Sequence, residues 1–264
     1  MAVEKVNAAL SYGRISLLSV PLDIIPPDEL PDIICRDLLN ITDNFPENQR
    51  QGKNIVLLSL WDLLRARRHN EYRDFILKAS MVIPISKSLV TGARFLKKKV
   101  PVRYMPFHFI IDLLSILESR EFTVYLMGGN EKILRRVENN IHQTFPRLRI
   151  VGRCTASFRK QEEPAIIEAI RKAAPHLLLT GSGIRGGELW IARNSAKLNR
   201  GMRLWCSDIF DVFAEKKNRP AEQIFNLGLE SFVYFLGNPL KFFRLFSYFR
   251  YKFLLLFYRI FHTG

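Results

Sequence analysis

The amino-acid sequence predicts an α/β fold, a mostly parallel sheet flanked by helices, and three observations carry that expectation. Between Arg14 and about Arg200, short apolar runs alternate with amphipathic stretches, the pattern of strand-helix units. The runs are rich in Val, Ile and Leu with little in–out alternation, as strands covered on both faces require. Two glycine clusters stand at the C-terminal ends of two runs, where ligands of such folds bind.

In order, the strand candidates are Ile15–Val20, Asn54–Leu60, Met81–Pro84, Val100–Met105, Phe122–Met127, Leu148–Val151, Leu177–Thr180 and Met202–Cys206. Helical patterns lie between them. Asn130–Gln143 puts Ile133, Leu134, Val137 and Ile141 on one face, and Pro164–Ala173 does the same with Ile166, Ile167 and Ile170. The polar, turn-rich stretch Thr42–Lys53 reads as a loop. No internal repeat is present.

After Glu230 the character changes. No Asp or Glu follows, while Lys241, Arg244, Arg250, Lys252 and Arg259 give the last 34 residues a net charge of +5. Leu240–Phe261 holds 10 of the chain's 31 aromatic residues. The expected division is therefore an α/β domain over residues 1–235 and a basic-aromatic helical appendage over 236–264.

With 264 residues, 48% hydrophobic and 25% charged, the composition is ordinary for a globular protein and excludes wholesale disorder. The charge is not ordinary: 40 Lys+Arg against 25 Asp+Glu leave +15, which implies a polyanionic partner. Nucleic acid is excluded as that partner, because no helix-turn-helix, zinc-finger, RNP or KH signature appears. Cys35, Cys154 and Cys206 are odd in number and make no CxxC pair, so neither a disulfide framework nor a zinc site is expected, and no other metal or cofactor is called for. They read as free thiols in a reducing compartment. The N-terminus, with Glu4 and Arg14, is not a signal peptide, and no run of about 18 apolar residues spans a bilayer. A cytoplasmic location at the inner face of the cell membrane is the expectation.

The first glycine cluster, Gly128-Gly129-Asn130, opens a helix after a strand, where free N–H groups and the helix dipole favour a diphosphate. A tight strand-helix turn explains it equally well. The second, Gly181-Ser182-Gly183-Ile184-Arg185-Gly186-Gly187-Glu188, is neither a Walker A motif nor a GxGxxG. It reads as a ligand loop with Arg185 as a phosphate contact and Glu188 as a polar anchor, against a merely flexible loop.

These stretches carry a resemblance. Phe122–Asn130 (FTVYLMGGN), Phe145–Gly152 (FPRLRIVG) and Leu178–Ile191 (LLTGSGIRGGELWI) resemble three successive motifs of the WecG/TagA/CpsF glycosyltransferases, family 26. Phe210-Asp211, Arg219-Pro220, Gly228-Leu229-Glu230 and Asn238-Pro239 continue the pattern in order. The resemblance implies a Rossmann-like fold and transfer of N-acetylmannosamine or a related sugar from a UDP-sugar to a polyprenyl-diphosphate-linked acceptor, with inversion and no required metal. It further implies that Gly128, Gly129 and Asn130 sit by the donor diphosphate. Gly181, Ser182, Gly183, Arg185 and Glu188 would line the nucleotide pocket, and Arg103 would match a basic family position. A homo-oligomer is compatible with it.

The departures matter as much. The family's Pro-Asp-Gly, whose Asp is the proposed general base, becomes Pro84-Ile85-Ser86. A Thr-x-Asn pattern becomes Leu57-Leu58-Ser59, the second acidic position falls on His108 and the Gly before it on Pro106, and Pro-Lys-Gln becomes Arg185-Gly186-Gly187. Glu188 and Trp190 are retained. Three explanations stand: His108 as a relocated base with an ordinary pKa of about 6.5, a transferase whose base lies elsewhere, such as Asp112 or Asp62, or a catalytically inactive relative that binds membrane or nucleotide-sugar as a scaffold.

At about 100° per residue, Lys241, Arg244, Lys252 and Arg259 share one sector of a tail helix, with Phe residues on the others. Such a helix lies in an anionic membrane interface rather than crossing it; a helix packed on the core is the alternative. A second basic cluster, Arg94, Lys97, Lys98, Lys99 and Arg103, would face the membrane, contact a lipid diphosphate or simply be solvated.

Overall fold

The computed structural model describes residues 12–42, 52–198, 201–217, 225 and 243–261. Six strands form one parallel sheet: β3 (Lys53–Leu58), β4 (Met81–Pro84), β5 (Thr123–Met127), β6 (Arg149–Cys154), β7 (Leu177–Thr180) and β8 (Met202–Trp205), in the order β4-β3-β8-β7-β5-β6. The helices are α1 (Leu30–Thr42), α2 (Leu60–Ala66), α3 (Glu71–Leu77), α4 (Lys87–Phe95), α5 (Pro106–Ser119), α6 (Glu131–Thr144), α7 (Glu163–Ala173), α8 (Glu188–Asn194), α9 (Ile209–Phe213) and α10 (Phe243–Phe261). The Rossmann-like α/β expectation holds.

Alternate residues of each strand feed two cores. Val124 and Leu126 of β5 join Phe109, Leu113 and Leu134 under α5 and α6, while Tyr125 and Met127 join Leu63, Ile76 and Ile170 under α2, α3 and α7. Burial on both faces is why the strands read as continuous apolar runs. The helix starts follow their sequence signals: Ser59 caps α2, Asn130 accepts from the Ile133 amide at 2.9 Å to cap α6, and Pro106 opens α5.

Two strand expectations fail. Ile15–Val20 is not one strand of the main sheet. It breaks at Leu18 (φ 50°) and Ser19 (φ 69°) into an antiparallel hairpin of β1 (Gly13–Leu17) and β2 (Val20–Ile24). A two-residue hairpin needs positive φ at both turn positions, usually supplied by Asn or Gly, so Leu-Ser gave no turn signal. Arg14 and Asp23, both buried, clamp the hairpin beside β4: Arg14 Nε donates to Asp23 Oδ1 at 2.5 Å, and the Val82 amide donates to Asp23 Oδ2 at 2.6 Å. Val100–Met105 is not a strand either. Pro101 and Pro106 remove ladder donors, and the segment is tied instead by the Tyr104 amide to the Pro84 carbonyl at 3.1 Å and by the Tyr104 hydroxyl to the Ile25 carbonyl at 2.9 Å.

Of the expected loop Thr42–Lys53, Thr42 ends α1 and Lys53 opens β3; residues 43–51 lie outside the described residues. So do the 235/236 boundary and the motif residues Arg219-Pro220, Gly228-Leu229-Glu230 and Asn238-Pro239.

The appendage helix α10 is seated on α4. Tyr251 is fully buried, and its hydroxyl donates to the Ser88 carbonyl at 2.7 Å. Gly92 makes room for it: a Cβ there would lie 2.0 Å from that hydroxyl and 3.4 Å from Leu255. Arg259 stacks over Phe95 at 4.6 Å, and Ser19 Oγ and the Tyr258 hydroxyl lie 2.8 Å apart.

Candidate active site

A cavity of about 720 Å³ opens beyond the C-terminal ends of β3, β4 and β8. The carboxyl ends of the strands are where open α/β sheets bind ligands, and here β8 stands between β3 and β7. Its wall is aromatic, with Trp61, Tyr72, Phe75, Phe107, Trp205 and Phe225, and its polar groups include Ser59, Asp62, Ser86, Glu188, Asp208 and Lys217. Such a mixture of stacking surfaces and few polar groups suits a small organic ligand.

Local sequence explains the polar set. Ser59 ends β3 and caps α2 in a capping box with Asp62. Asp62 Oδ2 accepts from the Ser59 amide at 3.0 Å and the Ser59 hydroxyl at 2.5 Å. Burial pushes the Asp62 carboxyl above the usual range; the Ser59 hydrogen bonds oppose this, Glu188 reinforces it and Arg65 opposes it. Burial, with the charges of Asp62 and Glu188, drives the Tyr72 hydroxyl's pKa up. Arg65 stacks over the Tyr72 ring at 4.1 Å and forms an ion pair with Glu188. Across the cavity Lys217 pairs with Asp208. Cys206 also lines it, but burial raises its thiol to about 12, which leaves no thiolate. Cys35, Cys154 and Cys206 are all free. Among the described residues, no three His, Cys, Asp or Glu side chains converge as a metal site would need.

The sequence-predicted residues distribute unevenly around this cavity. Glu188 lines it, and so does Ile85, at the position where the family pattern has Asp. Arg103 lies beside that wall: Nε donates to the Ile85 carbonyl at 2.9 Å, one terminal nitrogen donates to the Phe225 carbonyl at 2.6 Å, and the guanidinium stacks 3.5 Å from the Phe225 ring centre. His108 is exposed on the first turn of α5 and is not among the lining residues, nor is Asp112, one turn on. Arg185 is exposed on the glycine loop.

The glycine turns have a packing role. Gly128 and Gly181 leave room for Phe210, whose ring would meet a Cβ on either at 2.8 and 2.6 Å. Their amides are spent inside the protein: Gly128 N–H on the Cys154 carbonyl, Gly129 on Ser182, Gly181 on Met127 and Ser182 on Ser207, at 2.8–3.1 Å. A Cβ on Gly183 would meet Ala156 at 2.8 Å, and Asn130 is occupied as the α6 cap. The retained Glu188 and Trp190 anchor α8, Glu188 through Arg65 and Trp190 through its indole N–H on Glu163 at 2.6 Å.

Of the expected membrane cations, Arg250, Lys252 and Arg259 are exposed on α10. Lys241 and the Arg244 side chain lie outside the described residues. Sequence reasoning missed the aromatic wall, although Trp205 and Trp61 each stand within three residues of a strand end; of its two alternative bases, Asp62 lines the cavity, where Ser59-Leu60-Trp61-Asp62 spells a capping box, and Asp112 does not.

Comparison with known proteins fits this geometry. The model of the WecG/TagA/CpsF glycosyl transferase family matches residues 15–263. The curated N-acetylglucosaminyldiphosphoundecaprenol N-acetyl-beta-D-mannosaminyltransferases of Bacillus subtilis (strain 168) and Bacillus spizizenii are each 20% identical over 200 residues, which is 76% of this chain and 77% of each relative.

Proposed function

The chain belongs to the WecG/TagA/CpsF glycosyltransferase family and is a glycosyltransferase, and we propose that it moves an N-acetylmannosamine-like sugar from a UDP-sugar to a polyprenyl-diphosphate-linked saccharide at the inner face of the cell membrane, in cell-surface polysaccharide biosynthesis. The activity named for the Bacillus relatives supports the sugar and the lipid-linked acceptor. The observation that carries the reading is the aromatic cavity beyond the carboxyl ends of β3, β4 and β8, large enough for a nucleotide-sugar and walled by rings on which a base stacks.

The reaction is direct displacement at the anomeric carbon: an acceptor oxygen attacks and the donor diphosphate leaves. Arg103 and Lys217, at the rim, supply positive charge near the departing diphosphate. The glycine turns hold β5, β7 and α9 in place and so fix the cavity's far wall.

The membrane part of the reading rests on α10. Its face opposite the α4 contact presents Phe246, Phe249, Phe253, Leu256, Phe257 and Ile260, each 45–74% exposed, at helical spacing. Arg250, Lys252 and Arg259 are exposed on the same helix, each worth about 1 kcal/mol near an anionic surface. No described helix is long and apolar enough to cross a membrane, so this stripe suits insertion into the interface.

Ile85 favours a second reading, a catalytically inactive relative that binds nucleotide-sugar and membrane as a scaffold. One assay separates the two. The purified chain, given UDP-sugars and a short-chain lipid-diphosphate acceptor, should release UDP. Saturable UDP binding without turnover for any donor establishes the scaffold instead, and absence of UDP binding removes the donor site.

A further inference from the structure

We propose that Asp62 is the proton acceptor of this transferase, taking the proton of the acceptor hydroxyl as the sugar is transferred, from the first turn of α2, the helix that follows the strand next to the one whose end carries Ile85 in place of Asp. The inference rests on the glycosyltransferase reading above.

Position selects it first. Among the described residues, three carboxylates line the cavity: Asp62, Glu188 and Asp208. Glu188 is held by Arg65 and Asp208 by Lys217. An ion pair stabilises the charged carboxylate and weakens it as a base. Asp62 is hydrogen-bonded instead by neutral groups, the Ser59 amide and hydroxyl.

Geometry ties it to the altered position. The turn after β3 and the turn after β4 are joined by two hydrogen bonds, the Ile85 amide to the Leu58 carbonyl at 3.0 Å and the Leu60 amide to Ser86 Oγ at 3.1 Å. Asp62, on the first turn of α2, and Ile85, just after β4, therefore line one cavity beyond the ends of adjacent strands. Ser59, where the family pattern has Asn, is the residue that grips the Asp62 carboxylate, so both departures meet around one oxygen-bearing group.

Protonation chemistry agrees. The charged groups facing Asp62 are Glu188 from α8 and Arg65 from its own helix, with the Tyr72 hydroxyl from α3. Burial, the largest effect, raises the carboxyl's proton affinity, and a base above the ordinary carboxylate range accepts an alcohol proton more readily.

The step balances. The acceptor oxygen bonds to the anomeric carbon while its proton passes to the Asp62 carboxylate. The bond from the anomeric carbon to the donor phosphate oxygen breaks, and its electron pair leaves with UDP. After the products depart, the carboxylic acid returns its proton to solvent.

The test is Asp62→Asn in the full chain, with UDP-sugar donor and lipid-diphosphate acceptor. Asn keeps an acceptor for the Ser59 amide, so folding should survive. The expected result is a fall in kcat of about 10²–10⁴-fold, with UDP binding within about threefold of wild type. The acidic limb of the wild-type kcat/KM profile should disappear. Ser59→Ala removes the hydroxyl hydrogen bond that favours the ionised carboxylate and leaves the one from the amide, so it should move that limb to higher pH. If Asp62→Asn does not fold, formate added to Asp62→Ala should restore turnover in a concentration-dependent way. Wild-type kcat in Asp62→Asn, no rescue by formate, or a collapse of turnover in His108→Gln with Asp62→Asn active would overturn the assignment while leaving the transferase intact. A wild-type chain that never releases UDP overturns the transferase reading and this proposal with it.

Discussion

Gly92→Ala should unseat the appendage helix, and the size of the effect follows from two distances. The new Cβ would stand 2.0 Å from the Tyr251 hydroxyl and 3.1 Å from its Cζ. The ring has nowhere to go, since Tyr251 is 0% exposed and its hydroxyl is bonded to the Ser88 carbonyl. Overpacking of this kind costs about 1–3 kcal/mol, and losing the hydrogen bond adds about 1 kcal/mol. Ala is the better helix former by about 1 kcal/mol, which offsets part of this. The net expectation is about 1–3 kcal/mol, or a Tm lower by about 2–4 °C per kcal/mol. Tyr251→Phe removes the atom at 2.0 Å and leaves a ring carbon at 3.1 Å. The double variant should therefore be more stable than the sum of the single effects by at least about 1 kcal/mol. Thermal melts of the four proteins, with limited proteolysis within residues 243–261, measure the cycle. Gly92→Ala at wild-type Tm, with α10 still protected, would refute the seat.

Three other outcomes follow from the same structure. Phe249→Ser, Phe253→Ser and Ile260→Ser together remove side chains that are 63%, 67% and 63% exposed; at about 1–2 kcal/mol of recovered burial apiece, partitioning onto anionic vesicles should drop at least about 100-fold with the melt unchanged, and unaltered co-sedimentation would sink the interfacial helix. Asp23→Ala leaves the Arg14 charge buried without its counter-ion, held only by the Ala79 and Ser80 carbonyls, and the Val82 amide without its acceptor, so chemical denaturation should register a loss of about 3–5 kcal/mol; a loss below about 1 kcal/mol contradicts the clamp. His176 has its pKa lowered, chiefly by burial and then by Arg149, and the Thr123 amide donates to its Nδ1 at 3.2 Å, so it is neutral when folded. An unfolded histidine binds a proton near pH 6.5, so stability from this group is full above that value and falls as pH drops through the lower folded value. Urea midpoints between pH 8 and 5 should decline less in His176→Gln than in wild type; equal slopes would discount the residue.

The strands of the main sheet were legible because burial on both faces leaves a continuous apolar run, as in Leu177–Leu179, all buried. Failures came where the deciding fact was not periodicity. Leu18 and Ser19 adopt a turn that their side chains do not advertise, and Val100–Met105 has strand composition but is flanked by prolines and finds no strand partner. The glycine clusters were legible as tight turns at strand ends, yet their near neighbours are Phe210 and each other, a contact between residues about 30–80 positions apart that no local pattern encodes. The cavity was the least legible part. It is assembled from the ends of β3, β4 and β8, so Trp61, Tyr72, Trp205 and Asp62 meet only once the strand order is known.

Most positions that depart from the family pattern gather at the cavity, although His108, exposed on α5, does not line it. Leu57, Ser59, Ile85 and Pro106 all line the cavity, and Arg185-Gly186-Gly187 leads directly into Glu188, which lines it too. Of the positions that keep the pattern, Gly128, Gly181 and Phe210 pack against each other, while Glu188 lines the cavity. A pocket that had merely lost its chemistry would have little reason to keep Asp62 buried. A carboxyl whose pKa is raised by burial lowers stability at neutral pH, because the unfolded chain ionises it more easily. A cap for α2 can be made by Ser59 alone, with no acid inside the cavity. Asp62→Asn should accordingly match or exceed wild-type stability at neutral pH while losing turnover, and that opposition separates a carboxylate kept for chemistry from one kept for the fold.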